Sequence, residues 1–208
     1  MQLRWYFDFV SPFSYLHWHR LQALPQFARI EPVPIVFGAV LRERGIRGPA
    51  EIPHKRVFTY RQALWQARGD GVAMRFPPAH PFSPLAALRL CIAAGTTPRA
   101  ITAVFDHIWR DGHDGSDANG LAAVAAALGI DDVAAAIAEP AVKARLQANT
   151  DAALAAGVFG VPTLDIDGEL FWGNDMHGLM RAVLDDPRLL HDGEMARLAA
   201  LPEGIARS

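Results

Sequence analysis

The first residues of the chain alternate between hydrophobic and other side chains. The hydrophobic positions of this segment fall on one face of an extended strand: Leu3, Trp5, Phe7 and Phe9. Alternation of this kind predicts a β-strand over residues 3–10. Ser11 and Pro12 follow, and a hydroxyl residue before a proline is typical of a helix start. We expect that helix to end near residue 27.

A second strand is predicted over residues 32–37, where β-branched residues are frequent and Gly38 ends the run. Two strands joined by one helix over so short a distance are usually parallel, with a right-handed crossover. The N-terminal segment therefore predicts a β-α-β unit.

The middle of the chain carries only helical patterns. Hydrophobic residues recur here at spacings of three and four, most clearly at Ile101, Val104, Phe105 and Ile108. The helices predicted in this region cover residues 53–68, 82–94, 97–109, 121–128, 131–139 and 140–156.

Strand patterns return at residues 163–166 and 170–172. Asp167 and Gly168 between them form a dipeptide typical of a two-residue hairpin turn. A final helix is predicted over residues 174–184, and we expect the segment after Pro187 to form an extended arm or a short helix.

This order of elements predicts an α/β protein with a thioredoxin-like core, β-α-β followed by β-β-α, and an all-helical domain inserted in its middle. We assign residues 1–49 and 157–208 to the thioredoxin-like domain and residues 50–156 to the helical insertion.

Composition and charge narrow the classes of function that the chain can have. The formal net charge is −2, so no basic field supports binding to nucleic acid. No apolar run is long enough for a membrane span or has the form of a secretory signal, and we expect a cytoplasmic protein without a membrane partner.

The acidic and histidine residues of 106–117 match neither an EF-hand loop nor a zinc pair, so no metal is expected. Cys91, the single cysteine, lies in an apolar run and is expected to be buried and inert.

The junction of the first strand and helix is where thioredoxin-like folds place their chemistry. Ser11-Pro12-Phe13-Ser14 stands here, without the two cysteines that disulfide exchange requires. A helix N-terminus stabilises an anion, so Ser11 either only caps the helix or also donates a hydrogen bond to a thiolate from another molecule, such as glutathione.

Two further segments are compatible with the same site. Val161-Pro162 enters the third strand, either as an ordinary loop or as a cis-proline whose preceding backbone pairs with a peptide. Asn174 or Asp175 either caps the last helix, or Asp175 accepts from the ammonium group of a γ-glutamyl peptide while nearby backbone N–H groups hold its carboxylate.

Three ordered motifs carry a resemblance to a known family: Phe7-Asp-Phe-Val-Ser-Pro-Phe-Ser-Tyr-Leu16, Gly157-Val-Phe-Gly-Val-Pro-Thr163 and Phe171-Trp-Gly-Asn-Asp175. They resemble the signatures of the 2-hydroxychromene-2-carboxylate isomerases, which are close relatives of the kappa-class glutathione transferases. The resemblance covers most of the chain, and Pro53-His54-Lys55 matches the family segment that carries a lysine near the glutathione site.

The resemblance implies a function and a set of roles. Ser11 would be the catalytic residue that holds the glutathione thiolate, and the glutathione site would also include Lys55, Val161, Pro162, Asn174, Asp175 and Met176. The reaction would convert 2-hydroxychromene-2-carboxylate to trans-o-hydroxybenzylidenepyruvate by reversible thiolate addition, with glutathione as cofactor. The resemblance also implies a homodimer.

The chain departs from the family at two positions. Ile46 stands where members carry a substrate-side asparagine, and Met176 stands where an arginine commonly follows the aspartate. Arg42, Arg44 and Arg47 either bind a substrate carboxylate or are solvated. Two alternatives therefore stay open, a glutathione transferase that releases an S-conjugate and a glutathione- or peptide-binding module without catalysis.

Overall fold

A computed structural model describes residues 1–204 of the chain. Its sheet has four strands in the order β2-β1-β3-β4. The strands are β1 (Leu3–Phe7), β2 (Ile30–Pro34), β3 (Thr163–Ile166) and β4 (Glu169–Trp172). The thioredoxin-like α/β fold is thus confirmed, with the first two strands from one end of the chain and the last two from the other.

The pairing of β1 decides where the functional segments meet. β1 runs parallel to β2 and antiparallel to β3, and Tyr6 lies opposite Thr163. The chain that leaves β1 towards Ser11 therefore lies at the same end of the sheet as the chain that enters β3 from Val161 and Pro162.

The first helix, α1 (Pro12–Gln22), is shorter than expected. The prediction of a helix to residue 27 was wrong because Pro25 follows, and a proline disfavours helical conformation at the residue before it. A 3-10 turn at Phe27–Arg29 leads into β2.

The second strand and its successor also differ from the prediction. β2 occupies Ile30–Pro34 rather than residues 32–37, and a helix that the sequence analysis missed, α2 (Phe37–Glu43), begins where the strand was expected to end. A short apolar run such as this one is compatible with either a strand or a helix, so the pattern alone does not separate them.

The middle of the chain is helical, as predicted. After a 3-10 turn at Pro49–Glu51 come α3 (Pro53–Gly69), α4 (Leu85–Ala93), α5 (Pro98–Phe105), a π-helical turn (Asp106–Arg110), α6 (Ala122–Ala127), α7 (Val133–Ala138) and α8 (Pro140–Ala155). Pro98 and Pro140 occupy the first positions of their helices, where a missing N–H group costs nothing.

The C-terminal part begins with a 3-10 turn at Asn174–Met176, so α9 (His177–Asp185) starts three residues later than predicted. A second 3-10 turn at Pro187–His191 and the short helix α10 (Gly193–Leu198) follow. The short-helix alternative for this segment is the one observed, and the end of the predicted domain, residues 205–208, lies outside the described residues.

One hydrophobic cluster joins the sheet to the helices of the middle region. Trp5 and Phe7 of β1 are fully buried, and their rings pack against Phe105 with centroids 6.3 and 5.8 Å apart. Because this core is continuous across the proposed boundary, the division at residues 50 and 156 stays a prediction about chain topology. Within residues 1–204, no helix combines the length and apolar character needed to cross a membrane.

Candidate active site

A cleft of about 500 Å³ opens at the end of the sheet where β1 and β3 meet. Its walls come from the β1–α1 loop, α2, one side of α3, the segment before α4 and the turn after β4. Ser11, Val161, Asn174 and Asp175 all line it. The structure therefore brings together four of the residues that the sequence analysis assigned to one site.

Ser11 caps α1, as predicted. Its Oγ accepts a hydrogen bond from the N–H of Ser14 at 3.2 Å, and the side chain is only 6% exposed. The hydroxyl proton has no partner within residues 1–204, and the same holds for the N–H of Phe13, which also lines the cleft. Two donors and the positive end of α1 thus face the position that an anion would occupy.

Asp8 fixes the loop that carries Ser11. It is completely buried directly after β1, with Oδ1 accepting from the N–H of Val10 at 3.0 Å and Oδ2 from the N–H of Phe37 at 2.8 Å. Burial raises the pKa of Asp8 to about 7, against the opposing effect of the backbone N–H groups around it. The carboxyl group joins the β1–α1 loop to the first residue of α2, so both walls of the cleft depend on it.

The peptide bond between Val161 and Pro162 is cis, as predicted. The carbonyl of Pro162 accepts from the N–H of Gly173 at 2.8 Å, whereas the backbone of Val161 has no hydrogen-bonding partner within the described residues. Val161 lies on the cleft, and an unpaired backbone at such a position is suited to pair with an extended peptide.

Asn174 is 2% exposed and carries an unpaired acceptor. Its Nδ2 donates to Oε1 of Gln66 at 2.9 Å, and its carbonyl accepts from Nη1 of Arg20 at 2.9 Å. Its Oδ1 is buried without a partner in residues 1–204. Native proteins rarely leave a buried polar atom unsatisfied, and such an atom at a cleft indicates a ligand position.

Asp175 is exposed beside Asn174, and its carboxylate faces the cleft mouth near Gly173. Gly173 has φ +100°, and a Cβ there would collide with Asp175. Neither Asn174 nor Asp175 caps α9, so the capping alternative was wrong. We call these hydrogen-bonding residues the polar wall: Ser11, Val161, Gly173, Asn174 and Asp175.

A second part of the cleft lining is apolar. α1, α2 and the segment before α4 contribute half-buried apolar side chains, which we call the apolar wall: Phe13, Phe37, Leu41, Phe82 and Pro84. Trp172 also lines the cleft, and its indole lies over Gly160, where any Cβ would collide with it. An apolar surface of this kind is suited to an aromatic or aliphatic ligand.

Three of the predicted residues do not line the cleft. Pro162 lies one residue behind Val161, Met176 is half-buried in the turn before α9, and Lys55 is exposed on the first turn of α3. Their proposed contacts with glutathione stay predictions.

The arginines considered as partners of a substrate carboxylate do not line the cleft either. Arg44 donates to the carbonyl of Val158 at 3.3 Å, and Arg47 to the carbonyl of Glu51 at 2.8 Å. The charged residues on the lining are instead acidic, Glu51 and Asp175.

The sequence analysis missed His80, which lines the cleft. Its Nε2 lies 2.8 Å from the carbonyl of Val10, and its Nδ1 lies 2.8 Å from the hydroxyl of Tyr60. No local pattern in the sequence pointed to this histidine.

Two histidines, His17 on α1 and the half-buried His177 on α9, pack against each other. His17 is buried and accepts from Nε1 of Trp5 at 3.2 Å, and its ring meets that of His177 edge-on at 5.6 Å. Burial lowers the pKa of His17 to about 3 and that of His177 to about 4. Both rings are therefore neutral near pH 7, and neither belongs to a metal cluster within the described residues.

Comparison with known proteins identifies the family of the chain. Residues 2–185 match the model of the DSBA-like thioredoxin domain. A 2-hydroxychromene-2-carboxylate isomerase from Sphingobium xenophagum is 31% identical over 87% of this chain and 96% of its own length. One from Pseudomonas sp. (strain C18) is 32% identical over 82% of this chain and 84% of its own length. A solved 2-hydroxychromene-2-carboxylate isomerase has a TM-score of 0.76 at 25% identity and covers 96% of this chain and 98% of that chain.

A thioredoxin-like core with a cleft at the head of its first helix defines the class. The chain belongs to the DSBA-like thioredoxin domain family and, within it, to the family of the 2-hydroxychromene-2-carboxylate isomerases. The names of these relatives support an isomerase.

Proposed function

We propose that this protein is a glutathione-dependent isomerase that converts 2-hydroxychromene-2-carboxylate, or a related aromatic catabolite, to trans-o-hydroxybenzylidenepyruvate. The observation that carries the proposal is the free hydroxyl donor of Ser11 at the N-terminus of α1, inside a cleft that also contains the unpaired backbone of Val161.

The chain itself has no thiol that could serve as nucleophile. Ser11 and Ser14 stand where a disulfide enzyme has cysteines, and Cys91 is fully buried. Burial also raises the pKa of the Cys91 thiol, so its reactive thiolate form is disfavoured. A thiolate mechanism therefore needs a thiol from another molecule.

The residues of the polar wall fit glutathione. Ser11 would donate to its sulfur, the backbone of Val161 would pair with its cysteinyl residue, and Oδ1 of Asn174 together with Asp175 would accept from its ammonium group. When bound, glutathione supplies a nucleophile that adds reversibly to an unsaturated substrate and is expelled unchanged. The donors of Ser11 and Phe13 keep the sulfur anionic, as required of a nucleophile.

The apolar wall supports an aromatic substrate beside the sulfur. Half-buried side chains such as Phe37, Leu41 and Phe82 exclude water from this part of the cleft and offer contact area to a ring. The relatives are named as isomerases of a chromene carboxylate, a ring compound that suits such a surface.

Turnover stoichiometry tests this proposal and separates it from the transferase alternative. Purified protein is mixed with 2-hydroxychromene-2-carboxylate and a substoichiometric amount of glutathione. An isomerase turns over many substrate molecules per glutathione and leaves the free thiol unchanged, whereas a transferase stops when glutathione is consumed as an S-conjugate. If calorimetry detects no binding of glutathione, both the isomerase and the transferase activity are contradicted. The remaining alternative would be a binding module without glutathione chemistry.

The proposal includes a homodimer, by analogy with the family. Exposed apolar side chains on α3, among them Val57 and Phe58, support a contact with another protein surface. Sedimentation equilibrium measures the mass directly, and a monomer at micromolar concentration would contradict this part of the proposal.

A further inference from the structure

The loop that presents Ser11 is held by two side chains from the helical region. Nε1 of Trp109 donates to the carbonyl of Phe9 at 2.8 Å, and Nε2 of His80 lies 2.8 Å from the carbonyl of Val10. Both bonds reach the two residues that precede Ser11, across 100 and 70 residues of sequence respectively. The helical region thus contacts the β1–α1 loop through side-chain hydrogen bonds as well as through packing.

The proton of His80 can be placed from its partners. The carbonyl of Val10 only accepts, so Nε2 must carry the proton of the neutral ring. Burial lowers the pKa of His80, which favours that neutral ring. The hydroxyl of Tyr60 lies 2.8 Å from Nδ1 and donates to the backbone carbonyl of His80 at 2.7 Å, so Tyr60 holds His80 in place.

An aromatic cluster in turn fixes these two donors. The ring of His80 lies 5.5 Å from that of Trp109, and the ring of Phe76 lies 5.2 Å from Trp109 and 5.8 Å from His80. Trp109 is fully buried in the π-helical turn at Asp106–Arg110, and such turns frequently occur at functional sites.

We propose that His80 and Trp109 are positioning residues that aim the hydroxyl of Ser11 at the bound thiolate. Asp8 holds the N–H of Val10 from one side, and His80 holds its carbonyl from the other. Ser11 is the next residue along the chain, so a displacement of its backbone, which carries Oγ with it, requires that at least one of these bonds lengthen or break. This proposal rests on the proposed glutathione chemistry and assigns part of its control to the helical region.

The test removes the hydrogen-bond donor of Trp109 or of His80 and keeps an aromatic ring at each position. Trp109→Phe deletes the indole N–H and His80→Phe deletes the imidazole donor, while His80→Gln restores an N–H near the position of Nε2. Trp65→Phe and His191→Phe make the same changes at exposed positions and serve as matched controls. Glutathione affinity is measured by calorimetry, and the thiol pKa of bound glutathione by its thiolate ultraviolet absorbance as a function of pH.

Loss of either donor should raise the apparent pKa of the bound thiol by about one pH unit and lower kcat about tenfold. Glutathione affinity, measured at a pH below the pKa of the bound thiol, should change by no more than about twofold, because the contacts of the polar wall with the neutral thiol form are unchanged. His80→Gln should restore both values, and the two exposed controls should match the wild type. A purely structural role would lower the melting temperature without moving the thiol pKa.

Amide hydrogen exchange of residues 8–11 provides a measurement that does not depend on glutathione, and it should become faster in both donor variants. Unchanged exchange, or faster exchange with an unchanged thiol pKa, would overturn the positioning role alone. If His80→Gln shows the same thiol pKa and the same kcat as His80→Phe, the positioning role is also overturned. If the wild type binds no glutathione, the proposed function fails and this inference fails with it.

Discussion

The two walls of the cleft present opposite chemistry over a short distance. The polar wall offers a hydroxyl, an unpaired backbone and a buried amide oxygen, whereas the apolar wall offers aromatic and aliphatic carbon. The difference fits the proposed function, in which a peptide thiol would use the polar wall and a ring compound would use the apolar wall.

Ser11→Ala tests the point where the two molecules would meet. Loss of one donor to a developing or resident anion should lower turnover at least about 100-fold. Thr97→Ala is a matched control, because Thr97 caps α5 with the same kind of bond, its Oγ1 accepting from the N–H of Ala100 at 3.2 Å. Both variants should lose similar stability, about 1 kcal/mol for a helix cap. Turnover of Ser11→Ala near the wild-type rate would remove Ser11 from the mechanism.

Asn174→Ala tests the polar wall alone. Removal of the unpaired Oδ1 should weaken glutathione binding about tenfold, the loss typical of a hydrogen bond to a charged group. The KM of the aromatic substrate should stay unchanged at saturating glutathione. Asn149→Ala removes a similar amide, which donates to the carbonyl of Pro34 at 3.2 Å away from the cleft, and should leave glutathione affinity unchanged. Calorimetry measures both variants, and equal affinities would contradict the role of Asn174.

Leu41→Ala is the reciprocal test of the apolar wall. Removal of part of the apolar contact should raise the KM of the substrate about fivefold, since each buried methylene contributes about 0.8 kcal/mol. Glutathione affinity should not change. Leu198→Ala, on the exposed side of α10, makes the same substitution without an effect on either ligand. If Leu41→Ala weakens glutathione and substrate equally, the two walls do not have separate ligands.

Acid should weaken the contribution of His17 to stability. The folded-state pKa of His17 is lowered from 6.5 to about 3, so its contribution to stability is fully present above pH 6.5 and is lost as pH falls towards 3. Asp8 acts with the opposite sign, because its pKa is raised from 3.8 to about 7 and its contribution is lost as pH rises through that range. Only a comparison of variants therefore isolates His17.

His17→Asn keeps an acceptor for Nε1 of Trp5 and removes the titrating ring. Between about pH 7 and about pH 4.5, the unfolding free energy of the wild type should fall by roughly 2 kcal/mol more than that of this variant. Urea denaturation at the two pH values measures the difference. A difference that does not depend on pH would contradict the assignment of a neutral, buried His17.

Much of the fold followed from local pattern. Alternation predicted β1, the Asp167-Gly168 turn predicted the hairpin of β3 and β4, and helical periodicity predicted the middle of the chain. The early end of α1 follows from Pro25, a local signal, whereas the failure at α2 occurred where a long-range contact decides local structure. Phe37 begins α2 with its N–H held by Asp8, a contact that no window of sequence around residue 37 contains.

The candidate site shows the same division. Ser11, Val161 and Asn174 could be identified because each belongs to a contiguous motif at an element boundary. His80 and Trp109 could not, because their importance lies in hydrogen bonds to Phe9 and Val10 across the fold. Lys55 and Met176, which were assigned by resemblance alone, do not line the cleft, and their roles stay predictions.

The most direct measurement of the central claim is a crystal structure of the protein with glutathione. The account predicts the sulfur within hydrogen-bonding distance of Oγ of Ser11, the cysteinyl backbone paired with Val161, and the γ-glutamyl ammonium next to Oδ1 of Asn174. A sulfur directed away from Ser11, or glutathione bound outside the cleft, would contradict it.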